Sequence, residues 1–354
     1  MRIKFITLGC KTNQAESNKM AQELCNNGLQ VTVGEADLYI INTCAVTGVA
    51  ERKSRHEVSK ITRNNPDAKI IIMGCASEND STQFNSDNVI KTFGTDKNGI
   101  IKYVLETAGA TALRIAQSTS ESMDSDVHRT LHGVVAPVTR TKTYIKIQDG
   151  CDNFCTFCIV PHLRGRATSR PINDIIAEIK SISPHQIVLT GINLTAYKDG
   201  DKNLANLCVE VNELGIPFEI SSLYVNIITR TFIEKLSNCK NFQPNFHLSL
   251  QSASNAILKK MNRHYTSEQF EDAVNRIRQA FPTSKISVDI IVGFPTETDD
   301  DFMQTYDFAN KMKFDAIHIF PYSPRKGTIA ASMKQLHSKI IKERADKLKE
   351  LTVH

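Results

Sequence analysis

Three cysteines lie within eight residues of one stretch, Gly150-Cys151-Asp152-Asn153-Phe154-Cys155-Thr156-Phe157-Cys158, spaced C-x-x-x-C-x-x-C. Soft thiolates so close together select iron–sulfur clusters or zinc. A structural zinc site needs a fourth protein ligand to close its tetrahedron, and His162 is near enough in sequence to supply one. A [4Fe-4S] cluster needs only three thiolates if its fourth iron stays open to a small molecule. The spacing leaves both readings standing.

Positions Cys10, Cys44 and Cys75 form a second set. Each follows a short apolar run of strand character: Ile3–Leu8, Leu38–Ile41 and Ile70–Met73. Helical patterns separate the runs, at Gln14–Asn27 with Asn13 as N-cap and Gly28 as stop, and at about Val46–Arg63. Strand–helix alternation predicts a parallel sheet, whose carboxyl strand ends lie side by side and host ligands. The three thiols are therefore expected on one rim, as ligands of a second cluster. Cys25, Cys208 and Cys239 sit in helical surroundings and read as packing residues.

The chain carries net charge +5, is 41% hydrophobic and has nine cysteines. No apolar run of about eighteen residues predicts a membrane span, and the N-terminus lacks the apolar core of a signal peptide. A cytoplasmic protein is expected, in which cysteines serve metals or catalysis more than disulfides. The mild basic excess is compatible with RNA. The polar stretch Ser118–Asp126 reads as a linker, so the expected organisation is an N-terminal domain at 1–112, a linker at 113–136 and a second domain at 137–354.

In that second domain six strands are predicted, about Tyr144–Gln148, Gln186–Thr190, Phe218–Ser221, Phe246–Leu250, Lys285–Val292 and Ala316–Phe320. Helices separate them, including Pro171–Ile182, Asn203–Leu214, Arg230–Leu236, Ser267–Ala280 and Thr298–Lys311, and a basic helix at Ser338–Leu351 follows. Six β/α units fit a partial barrel, with chemistry at the carboxyl strand ends. The first end carries the cysteine loop. The others carry Gly191 and Asn193, Ser221 and Ser222, Gln251 and Ser252, Gly293 and Pro295, and Pro321–Gly327. Any one is ordinary turn chemistry; together they are candidates for a cofactor cradle.

These residues resemble the methylthiotransferase family of radical S-adenosylmethionine (radical SAM) enzymes. The resemblance runs from Leu8 to about Met333 and rests on Leu8-Gly9-Cys10-Lys11-Thr12-Asn13-Gln14, Asn42-Thr43-Cys44, Met73-Gly74-Cys75 and Gly150–Arg170. Further matches are Leu248–Ser252, Met261-Asn262-Arg263-His264-Tyr265, Asp289–Thr298 and Phe320–Arg325. It implies an α/β protein with an N-terminal parallel-sheet domain followed by a partial (β/α)6 radical SAM barrel. It also implies two [4Fe-4S] clusters: Cys151, Cys155 and Cys158 hold the one that binds and cleaves S-adenosyl-L-methionine, and Cys10, Cys44 and Cys75 hold an auxiliary one. The implied reaction replaces an aromatic C–H by C–S–CH3. Val46-Thr47 and Glu51–Arg55 look most like the branch acting on threonylcarbamoyladenosine at position 37, beside the tRNA anticodon; isopentenyladenosine in tRNA and a ribosomal-protein aspartate are the alternative substrates. A metal-bearing RNA-binding module is the non-enzymatic alternative. Expected partners are the tRNA anticodon loop and an electron donor such as flavodoxin or ferredoxin; the sulfur source is left open.

Two basic groups, Arg52, Lys53 and Arg55 after Cys44 and Arg164, Arg166 and Arg170 after the cysteine loop, are candidates for RNA phosphate contacts; a solvated face is the alternative. The sequence departs from the family in Ser221-Ser222-Leu223-Tyr224-Val225, where Ser-Ser-x-Glu-Pro is usual, in Ala253 and in Ala76. The TRAM RNA-binding domain with which members usually close is expected to be absent, since the last basic helix runs to about Leu351 and the sequence stops at His354.

Overall fold

A computed structural model describes residues 1–118 and 142–352. The chain divides into two compact units, Met1–Arg140 and Thr141–His354.

The first unit runs β1 (Arg2–Thr7), α1 (Lys11–Asn26), β2 (Gln30–Val31), β3 (Leu38–Thr43), α2 (Gly48–Asn64), β4 (Lys69–Gly74), α3 (Cys75–Asn79), β5 (Val89–Thr92) and α4 (Lys97–Ser118). Its five strands form one parallel sheet in the order β2-β1-β3-β4-β5. The central strand β3 is buried at every position, as a strand covered on both faces must be. Ile3, Leu38, Ile40, Ile71 and Met73 pack with Met20 and Leu24 of α1 and Ile100, Ile101 and Val104 of α4. Sequence reasoning placed the three inner strands but omitted β2 and β5. β2 has two residues, and β5 lies at an edge where burial is too shallow to leave a clear apolar run. Residues 113–118 of the expected linker continue α4; the rest of it lies outside the described residues.

The second unit runs β6 (Thr143–Lys146), β7 (Gln148–Asp149), α5 (Val160–Arg164), β8 (Thr168–Ser169), α6 (Ile172–Ile182), β9 (Ile187–Thr190), β10 (Lys198–Asp199), β11 (Lys202–Asn203) and α7 (Leu204–Asn212). β12 (Phe218–Ile220), β13 (Ser222–Leu223), α8 (Arg230–Ser237), β14 (Asn245–Gln251), α9 (Asn255–Lys260), α10 (Ser267–Ala280), β15 (Lys285–Val292), α11 (Asp299–Met312), β16 (Ala316–Pro321) and α12 (Ser338–Lys349) follow. All six expected strands are present in order. They form two parallel sheets, β6-β9-β12 and β13-β14-β15-β16, because the third strand breaks at Ser221 and gives one half to each. On β15, Ile286, Val288, Ile290 and Val292 are buried in the core with the helices, whereas Ser287 and Asp289 alternate onto the opposite, concave face. The same period puts His247 of β14 on that face. Helices α7, α10 and α11 open with reciprocal capping boxes, Asn203/Asn206, Thr266/Gln269 and Thr298/Asp301, which fix where each strand-end loop stops.

Candidate cluster and cofactor site

The cysteine loop leaves β7 through Gly150, whose φ of +66° suits glycine; a Cβ there would lie 2.0 Å from the Arg166 carbonyl. The antiparallel pair β7–β8 brings residues 165–169 back beneath it, and the Cys151 amide donates to the Gly165 carbonyl at 3.1 Å. From the other side the Asn262 amide donates to the carbonyls of Asn153 (3.0 Å) and Phe154 (3.2 Å). Thr156 is tied to Lys260 and Met261. Phe154 itself holds a left-handed φ of +45°, a strained conformation for a phenylalanine.

Cys151 and Cys155 are buried. Cys158 keeps part of its surface accessible, yet burial pushes its thiol up to about 12, and the neighbouring Cys155 and Cys151 thiols push the same way. Cys151 is raised too, first by burial. Cys151 and Cys158, desolvated and facing other thiols, resist ionisation, and a metal cluster that takes them as thiolates removes that cost. Donors for thiolate sulfur are in place. The Asn153 amide (3.5 Å) and the Asn193 side chain (3.7 Å) point at Cys151 Sγ, and Arg263 Nη1 lies 3.5 Å from Cys155 Sγ. Among the described residues, buried Asn193 Oδ1 has no hydrogen-bond partner. Beside the thiols is a cavity of about 300 Å³ lined by Cys155, Asn193, Thr195, Tyr224, Asn226 and Arg263 among others. The donor set, the orphaned amide oxygen and the cavity fit a cluster with a polar organic ligand beside it.

His162, the zinc-closing candidate, is exposed and packs edge-on against Phe154 at 6.4 Å. Among the described residues no three Cys, His, Asp or Glu side chains converge on a single metal ion.

The remaining cradle candidates divide. Asn193 lines the cavity, and Gly191 abuts Gln148 and Leu194 so closely that a Cβ would sit 2.9 Å from the Gln148 carbonyl. Ser221 Oγ bonds Thr190 Oγ1 at 3.3 Å. Ser222 Oγ meets His247 Nδ1 at 2.7 Å, and His247 Nε2 meets Asp289 Oδ1 at 2.9 Å, a polar chain across three strands that sequence reasoning missed. Gln251 ends β14 at a register shift, with φ +65°. Two candidates have structural work of their own. Ser252 is fully buried, shares a hydrogen bond with Thr305 and accepts one from the Ser254 amide, so it builds the turn before α9. Gly293 faces Ile341 of α12, which a Cβ would strike at 2.5 Å; its amide donates to Glu297 Oε2, which also takes Arg344 Nη1 at 2.6 Å. It is a packing glycine, and Pro295 is buried in the same turn.

In the first unit, the register pairs Thr7 with Asn42 and Thr43 with Gly74, so the chain leaves three adjacent strand ends just before Cys10, Cys44 and Cys75. Gly9 permits close approach: a Cβ there would lie 2.7 Å from Cys44 Sγ. Asn13 is not the N-cap expected for α1. The helix starts at Lys11, with Cys10 in the capping position, because Asn13 is used inside. Its amide donates to Leu8 O (2.8 Å) and Thr43 O (3.0 Å), and its Oδ1 is 3.8 Å from Cys10 Sγ. One buried asparagine thus links the backbones that carry Cys10 and Cys44. Cys10 is exposed; Cys44 and Cys75 are buried.

Of the basic candidates, Arg52 and Lys53 are exposed on α2, and Arg55 donates to Gln83 Oε1 at 2.7 Å. Arg166 is exposed, 3.0 Å from Asp152 and 5.5 Å over the Phe154 ring. Arg164 is corrected: its side chain is 1% exposed and pairs with Asp149 at 3.1 Å, out of reach of any phosphate. Arg170 is largely spent on Glu178 (2.6 Å) and the Lys146 carbonyl (2.7 Å). Cys208 and Cys239 are buried packing residues, and Cys25 is half-buried within α1.

The model of the Radical SAM superfamily matches residues 145–309, and that described as Uncharacterized protein family UPF0004 matches residues 2–94. Solved structures share the fold: the radical S-adenosylmethionine methyltransferase TsrM from Kitasatospora setae superposes with TM-score 0.59 at 13% identity, covering 91% of this chain and 74% of that one. The match over residues 145–309, which contains the thiol loop, makes this a radical SAM protein. Threonylcarbamoyladenosine tRNA methylthiotransferase MtaB of Aquifex aeolicus is 35% identical over 99% of this chain and 88% of its own. That of Bacillus subtilis is 36% identical over 98% and 79%. A tRNA-2-methylthio-N(6)-dimethylallyladenosine synthase of Thermodesulfovibrio yellowstonii is 33% identical over 92% and 77%. The chain belongs to the radical SAM methylthiotransferase family.

Proposed function

We propose that this enzyme converts the C2–H of N6-threonylcarbamoyladenosine at position 37 of tRNA into C2–S–CH3, using two [4Fe-4S] clusters and S-adenosyl-L-methionine. Cys151, Cys155 and Cys158 would hold the first cluster, and Cys10, Cys44 and Cys75 an auxiliary one. When bound, the first cluster and S-adenosyl-L-methionine supply a radical able to take a hydrogen that is neither acidic nor beside a leaving group.

The chain's own residues bind and orient. Asn153 and Asn193 donate to Cys151 Sγ, and Asn262 clamps the loop. Asn193 Oδ1, at the cavity, would offer an acceptor to a polar group of the cofactor. Burial of Cys151 and Cys155 keeps bulk water from those two sulfurs. Arg166 with Phe154 presents a cation and an aromatic face to an anticodon-loop nucleotide, and Arg52 and Lys53 present cations for phosphates. A low-potential protein such as flavodoxin or ferredoxin would supply the electron.

The observation that carries the substrate is the 35–36% identity to two threonylcarbamoyladenosine enzymes across 98–99% of this chain. Mass spectrometry of tRNA nucleosides from a deletion strain tests it. The methylthio form of threonylcarbamoyladenosine should vanish while its unmodified precursor accumulates. Loss of methylthio-isopentenyladenosine instead would move the substrate to that nucleoside, and an unchanged tRNA profile would remove the tRNA role.

A further inference from the structure

Arg263, in the turn between α9 and α10, is a buried cation in an unusual setting. Its residue is 7% exposed. Nε donates to the Tyr265 hydroxyl at 3.1 Å, Nη2 to the Ser249 carbonyl at 2.9 Å and Nη1 to Cys155 Sγ at 3.5 Å. The guanidinium carbon lies 4.0 Å from the centre of the Tyr224 ring and 5.1 Å from that of Tyr265. Among the described residues these contacts include no carboxylate. Buried guanidinium groups ordinarily sit against one, since an uncompensated interior charge is strongly unfavourable. The carbonyl and the Tyr265 hydroxyl are neutral acceptors, and the faces of Tyr224 and Tyr265 offer only their quadrupoles. The one contact able to carry full negative charge is Cys155 as a thiolate.

Position 224 sharpens the point. Tyr224 lines the cavity beside Cys155 and covers one face of the guanidinium, so no water-borne counter-ion reaches that side. The orientation is fixed as well as the charge. Tyr265 holds Nε while donating its own proton toward the carbonyls of Ser249 (2.7 Å) and Leu250 (2.6 Å), which pins the fork with Nη1 aimed at the sulfur.

We propose that Arg263 is a positioning residue that raises the electron affinity of the cluster held by Cys151, Cys155 and Cys158. The inference rests on that loop holding an iron–sulfur cluster and is independent of the substrate. Cluster potentials follow net charge, hydrogen bonds to sulfur and solvent exposure. A fixed cation donating to one ligand sulfur in a dry site favours the form carrying one more electron. The step concerned is transfer of one electron from an external low-potential donor to the oxidised cluster; no bond forms or breaks and no proton moves.

The test compares the reconstituted full chain with Arg263→Met and Arg263→Lys. All three are made in a Cys10→Ala, Cys44→Ala, Cys75→Ala background, so that one cluster is observed. Iron content is measured first, and the reduction potential is then followed by electron paramagnetic resonance during a dithionite titration without tRNA. Arg263→Met should lower the potential enough to change the reduced-to-oxidised ratio at fixed applied potential about tenfold, about 59 mV for a one-electron couple. Arg263→Lys keeps the charge but not the forked donor, and should fall between Met and the parent. If Met loses iron while Lys retains it at a lowered potential, the proposal stands. Equal potentials in the iron-bearing variants overturn it, and so does loss of iron from both variants, which would make Arg263 a residue of cluster assembly. Because tRNA is absent, failure here is separable from failure of the nucleoside analysis.

Discussion

Two arginines two residues apart show how burial assigns roles that residue type leaves open. Arg164 and Arg166 flank Gly165 in one basic run, and both were candidates for phosphate. The β7–β8 pairing folds Asp149 against Arg164, whose side chain is 1% exposed, while that of Arg166 is 74% exposed. Arg164→Ala should therefore cost about 2 kcal/mol of stability by emptying a buried site and removing one of the two cations beside Asp149, which keeps Lys146 and the Gly150 amide, read as a lowered urea midpoint. Arg166→Ala should leave that midpoint within about 0.5 kcal/mol yet weaken tRNA binding, read by a shift in fluorescence anisotropy. Equal stability losses would undo the assignment. The difference is hidden in sequence because it depends on which strand returns beneath the loop. Arg263 was hidden similarly: it stood in a run matched to the family, and nothing in its spacing disclosed that its fork ends on Cys155.

Elements were legible where period and punctuation agreed. β15 matches its expected bounds, with apolar residues on alternate positions, and α10 matches as well, since Thr266 and Gln269 form a capping box at its start. Strand β12–β13 was less legible: its bend at Ser221 is set by tertiary pairing with two different neighbours, β9 and β14. The start of α10 carries a pH signature. Hydrogen bonds from Thr266, its own backbone and Asn255 hold the Glu268 carboxylate down to about 2. A carboxylate depressed below its unfolded value of about 4.3 stabilises the fold above that pH, and the contribution fades as pH falls towards 2. Glu268→Gln should thus unfold at lower urea than the parent at pH 6, with the gap narrowing at pH 3. A gap independent of pH would assign the effect to packing.

At the scale of the whole molecule, each unit brings three cysteines together, the first at the carboxyl ends of three parallel strands and the second on a single loop. In the first unit this was readable because β1, β3 and β4, the strands before Cys10, Cys44 and Cys75, are neighbours in the sheet. In the second, all three thiols belong to one loop and needed no topology. Each unit has its own core, so the sites should be separable by mutation. Two four-iron clusters predict about eight irons per reconstituted chain. Cys10→Ala is the gentlest cut: Cys10 is exposed and caps α1 only through its backbone, so the fold should survive. Iron should drop to about four per chain if one cluster is lost. Cleavage of S-adenosyl-L-methionine to 5′-deoxyadenosine should persist, because Cys151, Cys155 and Cys158 are untouched, while methylthio product disappears. Iron that stays near the parent value would show that Cys10 is no ligand, and loss of 5′-deoxyadenosine would show that the two sites depend on each other despite their separate cores.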